Sequence, residues 1–339
     1  MTLSPQREST ARAFAEVFQP GMRVCLTTHV NPDGDGLGSE VGLVHLLAAR
    51  GVDAVITNPT PTPPRYRFLF RDLPGIDRSD EAIKQLRRAD LIVVLDIGDL
   101  GRLGMLGGTV RDRGVPVGCI DHHVSPGELP PGPRFVDPSA AATAELVYEF
   151  AIANRWPVEK SAARAMYVGI LTDTGAFRFS NTDARTLRTA ASLLELGLNP
   201  EEIYLEVYAN APEGRTRLLA EALRTLVVEP DCGLAWVTVP PGAMHRHGAT
   251  ADDLDGVVEH PRSIAGVRMA ILFRELAGGR VKVSLRSVGD VDVAAFARPF
   301  GGGGHTKAAG ISLDGPLAAA QTTVLTAARA YLASRNGSR

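Results

Sequence analysis

Residues 22–49 read MRVCLTTHVNPDGDGLGSEVGLVHLLAA, and this stretch decides the fold. Met22 to Thr28 is a short apolar run typical of a buried β-strand, and Leu37 to Ala49 carries apolar residues at helical spacing. Between them, His29 to Asp35 places one histidine and two aspartates in a loop that also contains glycine. The stretch therefore predicts a strand, a polar loop and a helix, in that order.

Three further apolar runs repeat this pattern along the first half of the chain. Asp53 to Thr57, Leu91 to Asp96 and Val115 to Ile120 are rich in Val and Ile, and they alternate with segments of helical spacing. Such alternation is typical of a parallel α/β sheet. Because ligands bind at the carboxyl ends of strands in open α/β sheets, polar residues that follow these runs are candidate site residues.

The second half of the chain has a different pattern. Helical spacing dominates from Ala140 to about Leu223. Strand-like runs then appear at Leu234 to Val239, Val267 to Arg274 and Val281 to Arg286. We therefore predict an α/β protein with a parallel-sheet α/β domain over residues 1–190, a helical connector over 191–211 and a smaller mixed-sheet α/β domain over 212–339.

Composition limits the class of protein. The chain has 339 residues, enough for two domains of roughly 150 residues each. Its net charge of −2 disfavours a protein that coats long nucleic acid through a broad basic surface. Cys25, Cys119 and Cys232 form no C-x-x-C pair, so we expect no disulfide framework, no thiolate zinc site and a cytoplasmic location. Residues 1–20 are charged, and no apolar stretch is long enough to span a bilayer, so no membrane partner is expected.

Histidines and aspartates recur at the ends of the predicted elements. They are His29, Asp33, Asp35, Asp96, Asp121, His122, His123 and Asp173. Each one alone would fit a turn or a helix cap. Gathered at one sheet edge, however, the carboxylates would raise one another's pKa unless a cation neutralised them. An oxygen-rich site with few imidazoles and no thiolate suits a pair of Mn²⁺, Mg²⁺ or Co²⁺ ions.

Five segments together carry a resemblance to a known family. They are THVNPDGD (28–35), VLD (94–96), IDHH (120–123), DTGAFRFS (173–180) and FGGGGH (300–305). In this order they resemble the DHH superfamily of phosphoesterases, in the branch with a DHHA1 domain. The similarity is greatest to the short members that degrade nanoRNA, described as bifunctional oligoribonuclease and phosphoadenosine-phosphate phosphatases. The resemblance implies that residues 1–190 are the DHH domain and 212–339 the DHHA1 domain.

The resemblance also implies roles for the candidate residues of the first domain. His29, Asp33 and Asp96 would bind one divalent metal ion, with Mn²⁺ preferred. Asp35, Asp96, His122 and Asp173 would bind a second, so that Asp96 bridges the two ions and a shared water attacks phosphorus. Asp121 and His123 are the predicted catalytic residues: Asp121 as an orienting group and His123 as a contact to the substrate phosphate or leaving group.

The second domain is expected to select the substrate. In the run 281–286, alternation places Ser284 and Arg286 on one face of a strand, where Arg286 is able to hold a phosphate. The glycine run, with Gly302, Gly303 and Gly304 before His305, is either a backbone cradle for substrate or a flexible turn. The resemblance implies that Arg286 and this glycine segment bind substrate. Arg178 is either a phosphate contact or a surface arginine.

The predicted activity is hydrolysis of short oligoribonucleotides and dinucleotides to mononucleotides, and of phosphoadenosine phosphate to AMP. Short single-stranded RNA, dinucleotides and phosphoadenosine phosphate would be the substrates. A cyclic-dinucleotide phosphodiesterase is the nearest alternative, because the same set of metal ligands serves all these phosphodiesters. A non-catalytic nucleotide sensor or RNA-binding module is the alternative from another class. A homodimer is expected from the general frequency of symmetric assemblies.

Overall fold

The structure of the chain is a computed structural model that describes residues 3–112, 114–124 and 127–335, without the side chains of Asp252 and His305. Its contacts divide the chain into two compact units, Met1–Asn210 (unit 1) and Ala211–Arg339 (unit 2). The functional boundaries expected near residues 190 and 211 stay a prediction. Leu193, Ile203 and Val207, from the expected connector region, belong to the hydrophobic core of unit 1.

Unit 1 alternates strands with helices. Its strands are β1 (Arg23–Thr27), β2 (Asp53–Ile56), β3 (Leu91–Leu95), β4 (Val117–Asp121) and β5 (Arg134–Val136). Its helices are α1 (Pro5–Ala15), α2 (Gly34–Ala48), α3 (Ala82–Leu86), α4 (Leu106–Asp112), α5 (Thr143–Asn154), α6 (Lys160–Asp173), α7 (Ala184–Leu194) and α8 (Pro200–Tyr208).

The strands of unit 1 form one parallel sheet in the order β2-β1-β3-β4-β5. All five residues of β3 are buried, as expected for a strand covered on both faces. Leu91, Val93 and Leu95 pack into one hydrophobic cluster, and Ile92 and Val94 pack into another. The strand order reverses between β1 and β3, and ligands of such sheets bind at the carboxyl ends next to this point.

A row of glycines lets α6 approach α2 closely. Gly34, Gly38 and Gly42 are spaced four residues apart, so they lie on one face of α2. A Cβ on Gly38 would lie 2.4 Å from the carbonyl oxygen of Ala165, and one on Gly34 would lie 2.4 Å from Thr172 Oγ1. Any larger side chain would separate the two helices. The close packing sets the end of α6, and with it Asp173, beside the start of α2.

Unit 2 is built on a mixed sheet. Its strands are β6 (Val227–Glu229), β7 (Leu234–Thr238), β8 (Met269–Leu276), β9 (Arg280–Ser287), β10 (Gly303–His305) and β11 (Ala308–Asp314). Its helices are α9 (Glu213–Leu223), α10 (Ala243–Arg246), α11 (Glu259–Arg262), α12 (Val293–Ala297) and α13 (Leu317–Ser334). The strand order is β10-β11-β9-β8-β7-β6, and only the β7–β8 pairing is parallel among the described strands.

Alternate residues of β8 face different clusters in unit 2. Met269, Ile271 and Phe273 join the cluster that contains residues of α12 and α13, whereas Ala270 and Leu272 join the one that contains residues of α9. The predicted fold class, a parallel α/β domain followed by a smaller mixed-sheet α/β domain, is confirmed. Within the described ranges, no helix combines the length and the apolar character needed to cross a bilayer.

Candidate active site

His29 lies two residues after the end of β1 and faces two carboxylates. Its Nδ1 lies 2.9 Å from the carbonyl oxygen of Val30, so Nδ1 carries a proton and donates it. Its Nε2 is buried and has no hydrogen-bond partner among the described residues. Asp33 Oδ2 and Asp96 Oδ2 each lie 3.6 Å from this Nε2, beyond hydrogen-bond length. Nε2 of His29 is therefore directed at oxygens of two carboxylates that lie just beyond hydrogen-bond length.

His122 repeats the arrangement after β4. Its Nδ1 lies 3.2 Å from the carbonyl oxygen of Ala140 and donates to it. Its Nε2 lies 3.8 Å from Asp35 Oδ2, 3.5 Å from Asp96 Oδ1 and 3.6 Å from Asp173 Oδ2. In both histidines a backbone carbonyl fixes the tautomer, which leaves Nε2 as the ligand atom, a pairing common for metal-binding histidines.

Asp96 connects these two groups. Its Oδ2 faces His29, and its Oδ1 faces His122 and accepts a hydrogen bond from Thr143 Oγ1 at 3.1 Å. The backbone of Asp96 has a φ of +53°, a left-handed conformation that few residues other than glycine, Asn and Asp adopt. This strained backbone directly after β3 directs one carboxylate at both histidines.

Asp33 and Asp35 enter the site from the N-terminus of α2. Asp33 Oδ1 caps that helix by accepting from the N–H groups of Asp35 (3.0 Å) and Gly36 (3.1 Å). The Asp35 carboxylate instead accepts from the N–H groups of Thr143 (2.7 Å) and Ala144 (2.9 Å). Because these N–H groups open α5, the positive end of that helix stabilises the Asp35 carboxylate.

The electrostatics of the cluster fit divalent cations. Burial raises the pKa of Asp35 well above its ordinary value, and the charges of Asp96 and Asp173 raise it further. Burial likewise raises the pKa of Asp173. For His29, burial lowers the pKa, but pairing with Asp33 and Asp96 outweighs it and raises the pKa to about 10. Without a cation, His29 therefore holds a proton and Asp35 and Asp173 resist ionisation. A divalent cation would take the place of these protons, so the donor set fits the proposed metal ions.

The described residues place the ligand atoms at metal-binding separations. In each of three sets, the ligand atoms lie within 4.8 Å of one another. The sets are His29, Asp33 and Asp96; Asp35, His122 and Asp173; and Asp96, His122 and His123. The structure therefore brings together all six residues predicted as metal ligands. Their roles as ligands stay a prediction.

His123 differs from His122 although the two are adjacent. Its Nδ1 lies 2.7 Å from Asp121 Oδ1, so this nitrogen donates to a carboxylate. Asp121 is fully buried and also accepts from the N–H of Gly98 at 2.8 Å. The Nε2 of His123 lies 3.5 Å from Arg102 Nη1. Sequence analysis missed Arg102, because an arginine in a loop after a strand carries no signal until the fold places it beside a site.

Residues 137–143 form a segment that holds the cluster from one side. The Ala140 carbonyl binds His122, and Thr143 binds both Asp35 and Asp96. Sequence analysis missed this segment as well. The sequence signal for this segment is Ala142, the N-cap residue of α5. Alanine has no side chain that caps a helix, so the first N–H groups of α5 are left to bind an acid from elsewhere in the chain.

A buried charged network supports this segment. Arg7 Nη1 donates to both oxygens of the buried Glu149, at 2.8 and 2.7 Å, and Arg7 Nη2 donates to Ser139 Oγ at 3.0 Å. Glu145 accepts from the N–H of Ala141 at 2.7 Å. Arg7 of α1 therefore helps to fix the backbone that binds the candidate metal ligands.

The candidate substrate residues of unit 2 lie on adjacent strands. Ser284 of β9 pairs with Gly310 of β11, which pairs with Gly303 of β10. Arg286 is one-third exposed, and its Nε donates to Glu259 Oε1 at 3.0 Å. The arginine predicted to hold a phosphate is thus already oriented by an acid of α11.

The glycine segment has a structural explanation at two positions. A Cβ on Gly302 would lie 2.3 Å from the carbonyl oxygen of Gly310, and one on Gly304 would lie 2.4 Å from that of Ala308. Gly303 has open space around it. The side chain of His305 lies outside the described part of the structure. Arg178 is exposed, and its Nε donates to the carbonyl oxygen of Gly175 at 2.7 Å.

Comparison with known proteins agrees with this architecture. A family model described as "DHH family, N-terminal domain" matches residues 23–170, and one described as "DHHA1 domain" matches residues 234–334. The chain therefore belongs to the DHH family of phosphoesterases and is an enzyme that hydrolyses phosphate esters.

Two curated relatives match most of the chain. One, from Thermus thermophilus, is named "Bifunctional oligoribonuclease and PAP phosphatase NrnA"; it is 34% identical over 86% of this chain and 84% of its own length. The relative of the same name from Bacillus subtilis is 29% identical over 86% of this chain and 89% of its own length. A third relative, the "Cyclic-di-AMP phosphodiesterase PdeA" of Listeria monocytogenes, is 25% identical over 95% of this chain but only 49% of its own length.

Solved structures support the fold. An exopolyphosphatase-related protein from Bacteroides fragilis matches with a TM-score of 0.88 and 27% identity, over 96% of this chain and 97% of that one. The exonuclease RecJ bound to manganese matches with a TM-score of 0.54 and 18% identity, over 98% of this chain and 95% of that one. The RecJ likeness concerns the fold alone.

Proposed function

We propose that this phosphoesterase hydrolyses short single-stranded oligoribonucleotides and dinucleotides to mononucleotides, and removes the 3′-phosphate of phosphoadenosine phosphate to give AMP. The observation that carries the chemistry is Asp96, whose two oxygens face His29 and His122 separately. The substrate class rests on the names of the relatives that match 86% of the chain. A cytoplasmic location and a homodimer stay predictions.

Two divalent cations, with Mn²⁺ proposed and Mg²⁺ or Co²⁺ suited to the same donors, would be held in this site. His29, Asp33 and Asp96 would hold one, and Asp35, Asp96, His122 and Asp173 the other. Such a pair, when bound, lowers the pKa of water and neutralises charge on the phosphate. The protein's own contribution is to fix the tautomers of both histidines through backbone carbonyls and to donate N–H groups of helix N-termini to Asp33 and Asp35.

His123 and Asp121 are proposed to act on the substrate side of the site. Asp121 holds Nδ1 of His123, so Nε2 is the ring atom that would act on the substrate. In the imidazolium form, Nε2 carries a proton that it would donate to a phosphate oxygen or transfer to the leaving oxygen. Arg102, at 3.5 Å from that Nε2, adds a positive charge at the same place. Asp121 accordingly acts as a positioning residue and His123 as the catalytic residue.

Unit 2 is proposed to bind the nucleotide. Arg286 and Ser284 lie on one face of β9. The backbone around Gly302, Gly303 and Gly304 belongs to the β10 side of the sheet, and β11 separates it from β9. A guanidinium oriented by an acid is well suited to bind a phosphate, because little freedom is lost on binding. His305 and Arg178 are proposed as further substrate contacts.

A product time course tests the proposal. The purified protein with Mn²⁺ would be given linear RNAs of two to five nucleotides, phosphoadenosine phosphate, cyclic dinucleotides and pyrophosphate. We expect mononucleotides from the linear RNAs and AMP from phosphoadenosine phosphate. An Asp96→Asn preparation, purified in parallel, controls for contaminating ribonuclease. Faster turnover of the cyclic dinucleotides would favour the alternative phosphodiesterase, and no turnover of any substrate would favour a nucleotide-binding module.

A further inference from the structure

The segment after Asp173 has an unusual backbone. Gly175, Ala176 and Phe177 have φ values of +55°, +59° and +63°, a left-handed turn that non-glycine residues disfavour. Thr174 closes this turn: its carbonyl accepts from the N–H groups of Arg178 and Phe179, both at 3.0 Å, and its Oγ1 accepts from Phe177. Strained backbone of this kind persists where the surrounding structure fixes it, most often at functional sites.

The turn presents two side chains to solvent. Phe179 is 45% exposed, and its ring lies against Gly175, where a Cβ would come within 2.4 Å of the ring. Arg178 is exposed and fixed to the turn through its Nε. A large aromatic ring held at the surface by a strained turn is not explained by core packing.

A pair of tyrosines on α8 is tied to the same turn. Tyr204 and Tyr208 are 51% and 39% exposed, and their ring centroids are 5.3 Å apart. The Tyr208 hydroxyl donates to the Leu171 carbonyl at 3.3 Å, and the same carbonyl accepts from the N–H of Ala176 in the turn at 2.7 Å. Leu171 precedes the candidate ligand Asp173 by two residues on α6, so the tyrosine pair lies near the candidate metal centre.

Positive charge lies beside these rings. Burial raises the pKa of the Tyr208 hydroxyl, whereas the charges of Arg178 and Arg65 lower it. Exposed aromatic rings next to arginines are the combination with which proteins bind single-stranded nucleic acid, because bases stack on the rings and phosphates pair with the arginines.

We propose that Arg178, Phe179, Tyr204 and Tyr208, the stacking surface, bind the bases of the short single-stranded RNA that this enzyme hydrolyses. The inference rests on the proposed function and adds a recognition site in unit 1. A second copy of the chain is a less suitable occupant, since a two-fold interface would bring this arginine-containing patch against itself. Stacking tolerates any base, so the surface would select for single strands without selecting a sequence.

Substitutions of two exposed rings test the surface with little risk to folding. Tyr204→Ala and Phe179→Ala should each raise KM for a trinucleotide about 5- to 150-fold, the equivalent of one stacked base. The kcat of both variants, and the hydrolysis of bis(p-nitrophenyl) phosphate, should change little. Tyr204→Phe keeps the ring and should behave as the wild type. Leu205→Ala is the matched control, because Leu205 is a neighbouring residue on α8 with 50% exposure.

A binding measurement separates this inference from the proposed function. The dissociation constant of a 5′-labelled pentanucleotide would be measured on an Asp96→Asn background, with and without Tyr204→Ala, and the mass of each variant by light scattering. Weaker RNA binding after Tyr204→Ala supports the stacking surface, whether or not the wild type cleaves RNA. Failure of the wild type to cleave RNA would refute only the proposed function. Unchanged KM and binding in the Ala variants overturn the inference, as does a dimer that dissociates on Tyr204→Ala without any change in RNA binding.

Discussion

The two units differ in the surroundings of several of their acidic side chains. In unit 1, burial raises the pKa of Asp35 and Asp173 well above the ordinary value, and that of Glu40 to about 8. In unit 2, Glu221 and Glu229 lie near the surface, where hydrogen bonds from His247 and Arg329, respectively, lower their pKa. Unit 1 therefore gathers buried carboxyl groups that a bound cation would keep ionised, whereas Glu221 and Glu229 of unit 2 are balanced by basic residues of that unit.

This difference indicates that the two units have separate roles. The candidate chemistry of unit 1 depends on ions from solution, so its arrangement is fixed in advance by backbone contacts such as those of Ala140 and Thr143. The candidate binding surface of unit 2 needs no ion, since Arg286 is already oriented by Glu259. Variants of the two units should consequently fail in different ways.

The largest effect is expected for Asp96→Asn. Asparagine tolerates the left-handed backbone at φ +53°, so the change removes charge without adding strain. We expect kcat to fall by more than about 100-fold, because even partners outside the ligand shell of a metal cost about 10- to 100-fold. Bound Mn²⁺ per chain should fall as well. Asp80→Asn, at an exposed position, is the control, and an Asp96→Asn enzyme with most of its activity would refute a shared ligand.

The adjacent histidines should fail differently. His122→Ala removes an imidazole whose Nε2 faces three carboxylates, so one metal ion per chain should be lost. His123→Ala removes an imidazole held by Asp121, so both metal ions should stay while kcat falls about 100-fold or more. Metal analysis by mass spectrometry, beside steady-state kinetics, checks this. Equal loss of metal in both variants would contradict the assignment.

Arg286→Ala tests whether unit 2 binds without catalysing. Loss of a charged hydrogen bond to phosphate should raise KM for dinucleotides roughly 10- to 100-fold. Metal content and the hydrolysis of bis(p-nitrophenyl) phosphate should stay unchanged. Arg329→Ala, which breaks an ion pair elsewhere in unit 2, is the control. If the nitrophenyl substrate loses as much turnover as the dinucleotide, the division between the units is wrong.

Metal ions should stabilise unit 1 alone. Each unit contains one tryptophan, Trp156 in unit 1 and Trp236 in unit 2, so Trp236→Phe and Trp156→Phe variants report the unfolding of single units by fluorescence. Mn²⁺ at 100 times its dissociation constant should raise the free energy of unfolding of unit 1 by about 2.7 kcal/mol for each ion bound. An equal rise in the free energy of unfolding reported by Trp236 would show that stabilisation by the metal ions is not confined to unit 1.

The sheet and the members of the candidate site were predictable, because strand runs rich in Val and Ile end in His and Asp, and parallel strands end at one edge. The supports of the site were not. Ala140 acts through its backbone carbonyl, and Thr143 acts through both its N–H and its hydroxyl; an alanine-rich segment does not reveal such contacts. Arg102 reaches His123 only because of the fold, and Glu259 meets Arg286 across 27 residues of chain. The spacing of Gly302 and Gly304 reflects contact between strands as well as any ligand.

The last expected effect concerns stability and pH. Glu40 is buried on α2, where Oε2 accepts from Asn58 Nδ2 at 2.8 Å and Oε1 has no partner among the described residues. Because burial raises its pKa from 4.5 to about 8, the folded state holds the proton more tightly than the unfolded state. The contribution of Glu40 to the free energy of unfolding is therefore fully present below pH 4.5 and is lost as pH rises to about 8, by about 1.4 kcal/mol per pH unit.

Glu40→Gln removes this pH dependence. Unfolding in urea, followed through Trp156 in a Trp236→Phe background, should therefore show that the stability of the variant increases relative to its parent as pH rises. Glu221→Gln in unit 2, followed through Trp236 in a Trp156→Phe background, is the control of opposite sign: pairing with His247 lowers the pKa of Glu221, so its contribution is lost as pH falls. Parallel pH profiles of Glu40→Gln and its parent would show that burial of acids does not distinguish the two units.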